Sequence, residues 1–504
     1  MKPTLASTLA VLLALATPFV HADDAPRCRY AMIGKLPLRY TGPNLSITTE
    51  GVINGTPAVM LIDTASNSTV LTRTGTERRG MKLSNTGRVT QGIGGYSSLY
   101  QTRVDEFRFG PVRSPKGYLN VVTDFGMAPS YDATIGASFL LQTDLEIAMA
   151  SREIRFFQPQ DCGDAFLAYW DADAQAVPFE SYSGGSSNPR FTVFLNGEKM
   201  VAEINTGAQV SVVFLEAAKR IGVLPDTPGV VRAAGAVGVG ERTASRWHAV
   251  FKTFQIGEET IRNAGLNIID GKAYVDVILG ADFLRAHRVL FAMSQRKLYF
   301  SYAGGQPFDR PDRLEPWIEA EANAGNADAQ MALAGYHARG AGVPRDPATA
   351  NAWVEKAAAN GNPQALLRTG RALTRSGQPA EGALRLRAAL DKLPSDRYAA
   401  LWLYLARIAN GQAELGRTEL AGAFARGGAD AWPAPIADFY LGKLSAADLL
   451  KQGSADGGAG KARACGARAA IAGLYEARGE REQAQAARAL EAAECGKGAE
   501  NVES

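Results

Sequence analysis

The sequence predicts a multidomain protein in which two all-β domains precede an all-α domain. Up to about residue 310, runs of β-forming residues alternate with turn residues, and Asn54-Gly55 and Asn196-Gly197 each separate two apolar runs, as in a β-hairpin. One set of landmarks occurs twice in this front part, which indicates two domains of similar fold. After residue 315 the chain is rich in alanine and its apolar spacing is helical.

The composition is that of an ordinary globular protein, with 504 residues, 46% apolar and 21% charged. At about 150 residues per domain, this length allows two to four domains. The 54 Lys and Arg residues nearly balance the 51 Asp and Glu residues, so the net charge of +3 does not predict nucleic acid as a partner. With 4 His residues, no HExxH and no CxxC, the sequence predicts neither a metal site nor a cofactor.

The first residues have the pattern of a removable signal peptide. Lys2 precedes an apolar run at 5–20, and Val20-His21-Ala22 fits a cleavage site, so residues 1–22 are the predicted signal peptide. The alternative is a membrane anchor, but the run is shorter than the ~20 residues of a spanning helix. We therefore expect no transmembrane segment after cleavage, and a periplasmic or secreted location in a bacterium.

The 4 cysteines fit the disulfides of an exported protein. Cys28 and Cys162 bracket the first predicted β domain, whereas Cys465 and Cys495 lie on and just after a predicted helical hairpin. We expect the pairs Cys28–Cys162 and Cys465–Cys495, although four cysteines allow three pairings.

The internal repeat is the most informative feature of the front part. In each copy an Asn-Gly turn precedes a polar position by nine residues, Asp63 in the first copy and Asn205 in the second. Each copy continues with an apolar run, a Gly-rich stretch at 91–96 or 235–240, and an apolar residue followed by glycine. The predicted domain bounds are 28–165 and 166–305 for the β domains and 306–504 for the helical domain.

This repeated pattern resembles the retropepsin-like aspartic proteases over about residues 28–303. The family signature is an apolar strand, then Asp-Thr/Ser-Gly-Ala/Ser, a Gly-rich flap and a later apolar-apolar-Gly. The resemblance implies a bilobal body with one loop from each lobe, and it implies four catalytic positions: Asp63, Thr64, Asn205 and Thr206. The implied substrate-binding residues are Ala65, Ser66, Gly207, Ala208, Gly92, Gly94, Gly95, Gly238 and Gly240.

Aspartic proteases hydrolyse amides with two carboxyl groups that share one proton, one acting as base on water and the other as acid toward the carbonyl. The resemblance also implies that the two threonines lock the loops together and that the flap excludes solvent. This chain departs from the pattern twice. Asn205 replaces one carboxyl and cannot transfer a proton. Ala65 replaces a glycine, and if that position needs a positive φ we expect strain on the order of 1 kcal/mol.

Three functions remain open from the sequence. The first is an aspartic endopeptidase acting on peptide or protein substrates in the cell envelope, with Asp63 acting alone or pairing with Asp63 of a second molecule. The second is a catalytically impaired pseudoprotease whose cleft binds extended peptides. The third is a structural front half, with recognition left to the helices. We expect the endopeptidase, and Asn205 is the position that separates the first two functions.

The rear part resembles Sel1-like repeats, relatives of the tetratricopeptide repeat, over 322–366, with units that begin 36 residues apart at Gly325 and Gly361. The matching positions in the first unit are Gly325, Ala329, Gln330, Leu333, Tyr336, Gly340, Gly342, Val343, Asp346, Ala350, Trp353, Lys356, Ala357 and Ala358. Further helices are expected at 397–410, 414–426, 433–443 and 462–493, with a Gly-rich loop at 453–460. Such arrays bind a protein partner on one face, which we expect here; the alternative is a brace for the β domains.

Several residues of types that often do chemistry have simpler structural interpretations. Asp282 is expected to be a structural cap, and His287 a hydrogen-bonded residue, rather than catalytic groups. The basic run between Arg73 and Arg88 is expected to be a solvated face.

Overall fold

The computed structural model describes residues 28–110, 112–126, 129–181, 187–308, 313–425, 432–454 and 457–495. The predicted signal peptide, residues 1–22, lies outside the described residues. Among the helices in these ranges, none has the length and apolarity needed to cross a membrane.

The front part is built almost entirely of strands. In chain order its elements are β1 (Arg29–Pro37), β2 (Arg39–Thr41), β3 (Ser46–Ile53), β4 (Thr56–Asp63), β5 (Val70–Thr72), α1 (Arg73–Glu77), β6 (Ser84–Gly92), β7 (Gly95–Val104), β8 (Phe107–Phe109), β9 (Val112–Ser114), β10 (Gly117–Val122), β11 (Ala133–Gly136), α2 (Ala137–Leu140), β12 (Asp144–Ala148), β13 (Glu153–Gln160), β14 (Gln175–Pro178), β15 (Phe191–Leu195), β16 (Glu198–Ile204), β17 (Val212–Phe214), α3 (Leu215–Arg220), β18 (Val231–Ala236), β19 (Ala244–Ile256), β20 (Glu259–Ile269), β21 (Val277–Leu279), α4 (Ala281–Ala286), β22 (His287–Ala292) and β23 (Lys297–Tyr302).

The two β lobes repeat one topology, as the internal repeat predicts. The sheet of the first lobe has the order β6-β7-β10-β5-β11-β4-β3-β8-β9, and that of the second has the order β15-β16-β21-β17-β20-β19-β18. In the first lobe β11 runs parallel to β4 and antiparallel to β5; in the second, β21 runs parallel to β16 and antiparallel to β17. The equivalent central strands β4 and β16 lead to Asp63 and Asn205, so the repeat places these two residues at matching points of the fold.

A third sheet joins the lobes within one molecule. Its order is β1-β13-β12-β22-β23-β14, and β12 pairs antiparallel with β22, so that strands of the two halves of the chain meet at its centre. The sequence leaves open whether the β domains pair with each other or with a second chain. In this structure they pair with each other.

Both expected disulfides are confirmed. Cys28 bonds to Cys162, which ties the chain just before β1 to the chain just after β13. Cys465 bonds to Cys495 within the last helical hairpin. Closing long loops in this way stabilises the fold chiefly by restricting the unfolded chain.

The prediction that the basic run between Arg73 and Arg88 is a solvated face is partly wrong. Arg78 and Arg79 both form ion pairs with the carboxylate of Asp132, whose side chain is 3% exposed. Asp132 also accepts a hydrogen bond from the backbone N–H of Val59 (3.0 Å). These arginines therefore hold a buried turn of the first lobe and are not available to a partner.

The rear part is a series of consecutive helices. They are α5 (Pro316–Asn323), α6 (Ala327–Arg339), α7 (Pro347–Ala359), α8 (Pro363–Arg375), α9 (Pro379–Lys392), α10 (Arg397–Ala409), α11 (Ala413–Phe424), α12 (Ala434–Tyr440), α13 (Ala446–Gly453), α14 (Gly457–Arg478) and α15 (Arg481–Cys495). Gly325 and Gly361 both have positive φ, 91° and 81°, and each precedes an asparagine whose side chain caps the next helix. The 36-residue spacing thus corresponds to equivalent turns, whereas the identity of the repeat stays a prediction.

The expected loop at 453–460 is wrong in its second half, because α14 already begins at Gly457. The glycines here serve close packing of helices instead. A Cβ on Gly453 would lie 3.1 Å from the carbonyl oxygen of Arg463, and one on Gly460 would lie 3.3 Å from that of Ser454. Small residues at these positions let the end of α13 approach the start of α14.

The first two helices of the rear part share the core of the β lobes. Trp317 on α5 packs against the ring of Tyr40 in the first lobe (4.8 Å between centroids), and the guanidinium of Arg285 in the second lobe lies 4.1 Å from its ring centroid. Asp328 on α6 accepts a hydrogen bond from the backbone N–H of Gly42 (2.6 Å). This part of the helical region therefore braces both lobes.

Replacing Trp317 with alanine is expected to lower the free energy of unfolding by about 2–4 kcal/mol, because the aromatic contact between the two lobes is lost. The measurement is denaturant unfolding, followed separately by a β-sheet and a helix signal. Leu384→Ala, at a residue that is 64% exposed, is the control and should change little. Equal stability of the two variants would contradict the bracing role of Trp317.

Candidate functional site

Two equivalent loops meet at the centre of the front part, and reciprocal hydrogen bonds join them. The hydroxyl of Thr64 donates to the carbonyl oxygen of Ile204 (2.7 Å), and the hydroxyl of Thr206 donates to that of Ile62 (2.7 Å). Each hydroxyl also accepts from the backbone N–H of the other threonine, at 3.0 Å for Thr206 and 3.3 Å for Thr64. Both threonines are buried. These bonds fix the position of Asp63 relative to the second loop.

Asp63 is held at the end of β4 by its own loop. One carboxylate oxygen accepts hydrogen bonds from the backbone N–H groups of Ala65 (3.0 Å) and Ser66 (3.2 Å). Burial raises the pKa of Asp63 above its usual range, and the two N–H groups oppose this shift because they favour the carboxylate. Asp63 is thus a carboxyl group whose affinity for a proton is increased, as general base chemistry requires.

Asn205 occupies the matching position in the second loop. Its Oδ1 accepts hydrogen bonds from the backbone N–H groups of Gly207 (2.8 Å) and Ala208 (3.1 Å). Because these donors fix the amide orientation, the Nδ2 group, which can only donate, lies on the side of the amide away from its loop. The site therefore presents one carboxyl and one amide donor.

The two loops approach each other closely at Gly207. A Cβ built on this residue would lie 2.6 Å from the carboxyl carbon of Asp63. This distance is too short for a Cβ, so any larger residue would displace either the loop backbone or the Asp63 side chain. Neither Gly207 nor Ala65 is among the residues of the described chain that have positive φ. The expected strain at Ala65 is therefore absent, because its φ is not positive. In the second loop, glycine is required at Gly207 by the nearby side chain of Asp63 and not by the backbone conformation.

The predicted flap residues lie together above the loops. The hairpin of β6 and β7 turns at Gly92–Gly95, and its Gly94 donates a backbone hydrogen bond to Val239 of the second lobe (2.9 Å) and accepts one from Arg242 (3.0 Å). A Cβ on Gly94 would lie 2.6 Å from the carbonyl oxygen of Gly240. The stretch around Gly238 and Gly240 is a loop between β18 and β19, not a second tight hairpin. The two Gly-rich stretches therefore contact each other and close the cleft.

An apolar cluster joins the flap tip to the second lobe. Ile93 of the flap tip packs with residues of the second lobe into one cluster. Its other members are Val201, Val210, Val212, Phe214, Ala236, Ala244, Ile269, Val275 and Ile278.

Glu203, two positions before Asn205, is not among the residues predicted from the sequence, although it belongs to the site. The pKa of Glu203 is raised to about 7, chiefly by burial; the positive charge of Arg190 opposes this shift, and the negative charge of Asp63 adds to it. A detectable signal was present, because the equivalent position of the first copy is Leu61 and a glutamate is unusual within the apolar run 200–204. Tyr131 was also missed: burial, and secondarily the charge of Asp63, raise its pKa.

His287 has the hydrogen-bonded role expected for it, whereas Asp282 is structural but does not cap α4, whose N-cap is Gly280 without a side-chain cap. Asp282 is buried and accepts hydrogen bonds from the backbone N–H and the hydroxyl of Ser211. His287 is buried between the carbonyl oxygen of Phe283 (2.8 Å) and the carboxylate of Glu259 (3.0 Å). Among the described residues, no group of three or more His, Cys, Asp or Glu side chains could hold a metal ion.

Comparisons with known proteins agree with this geometry. Residues 49–139 match the family model described as "Aspartyl protease", and residues 191–286 match the one described as "gag-polyprotein putative aspartyl protease". Each match contains one of the two loops. The all-β front part therefore contains aspartic protease domains, and consecutive helices follow them.

Among solved structures, the crystal structure of basic 7S globulin from soybean is similar to this chain at 11% identity and a TM-score of 0.32. The similarity covers 55% of this chain and 99% of that chain. No curated protein matches this sequence.

Replacing Thr206 with valine is expected to lower the free energy of unfolding by about 2–5 kcal/mol, because the buried N–H of Thr64 and carbonyl of Ile62 both lose a hydrogen-bond partner. Thr206→Ser keeps the hydroxyl and should retain most of the stability. The measurement is denaturant unfolding of both variants. Equal loss in valine and serine variants would show that packing, rather than the reciprocal hydrogen bonds, joins the loops.

Replacing Glu203 with glutamine is expected to flatten the pH dependence of stability. In the wild type, the native state keeps the proton of Glu203 up to a pH of about 7, whereas the unfolded chain loses it near 4.5. The contribution of this group is therefore complete below pH 4.5 and is lost as the pH rises to about 7, so wild-type stability falls across this window. Unfolding curves at several pH values measure the slope. Glu198→Gln, at the exposed start of β16, is the control and should keep the wild-type slope.

Proposed function

We propose that this protein is an aspartic-type endopeptidase that cleaves extended peptide or protein segments, with Asp63 as its ionisable catalytic group. The observation that carries the proposal is the locked loop pair, which holds a carboxyl with a raised pKa opposite a fixed amide donor beneath a flap. The family matches around both loops support the same class of chemistry.

The mechanism assigns different tasks to the two loops. The Asp63 carboxylate takes a proton from a water molecule, and the resulting hydroxide attacks the carbonyl carbon of the substrate. The Nδ2 group of Asn205 donates a hydrogen bond to the oxygen that becomes negative. Protonated Asp63 then returns its proton to the leaving nitrogen as the carbon–nitrogen bond breaks, which yields an acid and an amine. These steps require no second carboxyl group, because Asp63 both takes and returns the proton.

The flap must move for the substrate to enter. The backbone hydrogen bonds of Gly94 to Val239 and Arg242 close the cleft in the described structure. Extended substrate would form strand-like hydrogen bonds with the flap in their place, which is a common mode of peptide recognition. Flap closure over substrate would also remove water from the site.

The second candidate function is a pseudoprotease that binds peptides without cleaving them. The replacement of a carboxyl by Asn205 favours it, because Asn205 cannot supply the proton that a normal pair shares. The same cleft would serve both functions, so only turnover separates them.

The location and the partner belong to the same proposal. The two disulfides and the apolar N-terminal run support export to the periplasm or the medium of a bacterium. Helices α5 and α6 brace the lobes, and we assign the docking of a protein partner to the helices that follow them, from α7 onward.

Replacing Asp63 with asparagine is expected to abolish cleavage, since the general base is lost while the accepting oxygen of the loop is kept. Asn205→Asp is expected to increase kcat at least about tenfold at acidic pH, because two carboxyl groups can then share a proton. The dependence of the cleavage rate on pH, which should only rise in the wild type, should become bell-shaped in this variant. The measurement is cleavage of a peptide library between pH 3 and 8, with products identified by mass spectrometry.

The control for both variants is an unchanged thermal unfolding curve. Cleavage by Asp63→Asn at the wild-type rate would exclude the aspartic mechanism. Retention of peptides with no cleavage by the wild type, together with cleavage by Asn205→Asp, would establish the pseudoprotease instead.

A further inference from the structure

Glu203 lies on the face of β16 that points away from the core and that Asn205 continues. Along this strand Met200, Ala202 and Ile204 are at most 1% exposed and form part of the core. Side chains alternate between the two faces of a strand, so Glu203 shares the opposite face with Val201 and Asn205. It therefore lies between the amide of the loop and the residue that packs toward the flap.

The neighbours of Glu203 are those that a bound peptide would meet. Its parallel partner on β21 is Ile278, and both Ile278 and Val201 pack into the apolar cluster that contains Ile93 of the flap tip. A segment held between flap and loops must pass along this floor. Glu203 places a carboxyl group within an otherwise apolar surface.

The nearby charged residues do not neutralise the negative charge of a Glu203 carboxylate. Arg190, just before β15, favours its carboxylate, whereas Asp63, at the end of β4, disfavours it. The larger effect is burial, which also disfavours the charged form. A positive charge on a ligand would pair directly with the Glu203 carboxylate and would so offset both unfavourable effects, the burial and the repulsion from Asp63.

The first lobe has a different residue at the equivalent point. Leu61 lies two residues before Asp63, as Glu203 lies two residues before Asn205, and it is 5% exposed. The two halves of the floor are therefore apolar on the Asp63 side and acidic on the Asn205 side. Because of this difference the two ends of the pseudo-twofold cleft are not equivalent, and a bound peptide would have one preferred orientation.

We propose that Glu203 is a specificity-determining residue that selects substrates with a lysine or arginine side chain on the Asn205 side of the scissile bond and an apolar side chain on the Leu61 side. This inference rests on the proposed peptide-binding function of the cleft. The basic side chain lays its alkyl stem along Val201 and Ile278 and forms a charge-assisted hydrogen bond with Glu203. An uncharged side chain of equal length keeps the apolar contact and loses the hydrogen bond.

The test uses the full-length mature chain with Asp63→Asn, so that binding is measured without cleavage. Fluorescent peptides that differ only in lysine or norleucine at one position next to the central bond are titrated at pH 7.5, with anisotropy as the readout. We expect the lysine peptide to bind at least about tenfold more tightly, which is the effect of one partly buried charge-assisted hydrogen bond. Adding Glu203→Gln should remove this preference, and adding Glu203→Leu should reverse it.

Glu198→Gln in the same background is the matched control, because it removes a carboxyl from the exposed end of the same strand. Equal affinity for both peptides, or a lysine preference that persists in Glu203→Gln, would overturn the proposal. A lower melting temperature with equal weakening of both peptides would also overturn it and would assign Glu203 a structural role beside Arg190.

Failure of the proposed function gives different results. Cleavage by the wild type without preference for basic residues would retain the endopeptidase and reject the role of Glu203. Preferential binding of the lysine peptide without any turnover would support the role of Glu203 in a pseudoprotease. Binding of neither peptide by any variant would reject the peptide cleft and the specificity proposal with it.

Discussion

The reciprocal hydrogen bonds of Thr64 and Thr206 are the constraint on which the rest of the front part depends. Each hydroxyl both donates to and accepts from the backbone of the opposite loop, so that four buried backbone groups are satisfied by two side chains. Loss of either hydroxyl would leave polar groups without partners in the core, which is costly. The lobes must therefore meet with their equivalent loops in register, and the sheet formed across β12 and β22 sets the same relation from the other end of each lobe.

The same constraint explains how a carboxyl could be replaced without rearrangement of the site. Asparagine has nearly the shape of aspartate, and Oδ1 of Asn205 accepts from Gly207 and Ala208 as Oδ1 of Asp63 accepts from Ala65 and Ser66. The loop geometry needs an accepting oxygen at this point and does not need a charge. What changes is the electrostatics, because one negative charge replaces a pair of carboxyls that would share a proton. The pKa of Asp63 is then set by its burial against two N–H groups.

The sequence predicts the features that depend on local order and repeats, and it misses those that depend on contacts between distant segments. The equal spacing of Asp63 and Asn205 from their Asn-Gly turns predicts the two lobes, and the positions of the cysteines predict both disulfides. The contact between Gly94 and Gly240 joins residues of different lobes, so no local pattern contains it. For Ala65 only the structure shows that its φ is not positive, and that Asp63 of the other loop requires glycine at Gly207. Glu203 is visible in the sequence as an irregularity, and its meaning depends on the face of β16 that it occupies.

The distribution of contacts indicates where the molecule can open. Trp317 lies between Tyr40 of one lobe and Arg285 of the other, and α5 and α6 share the buried core with both lobes. Separation of the lobes would expose this core and break the Thr64–Thr206 bonds together. The flap contact differs in kind, because it consists of backbone hydrogen bonds between Gly-rich stretches together with the packing of Ile93. Its bonds can be exchanged for bonds to an extended peptide at little net cost, since the substrate backbone offers the same donors and acceptors. Access to Asp63 is therefore governed by the flap and not by movement of one lobe against the other.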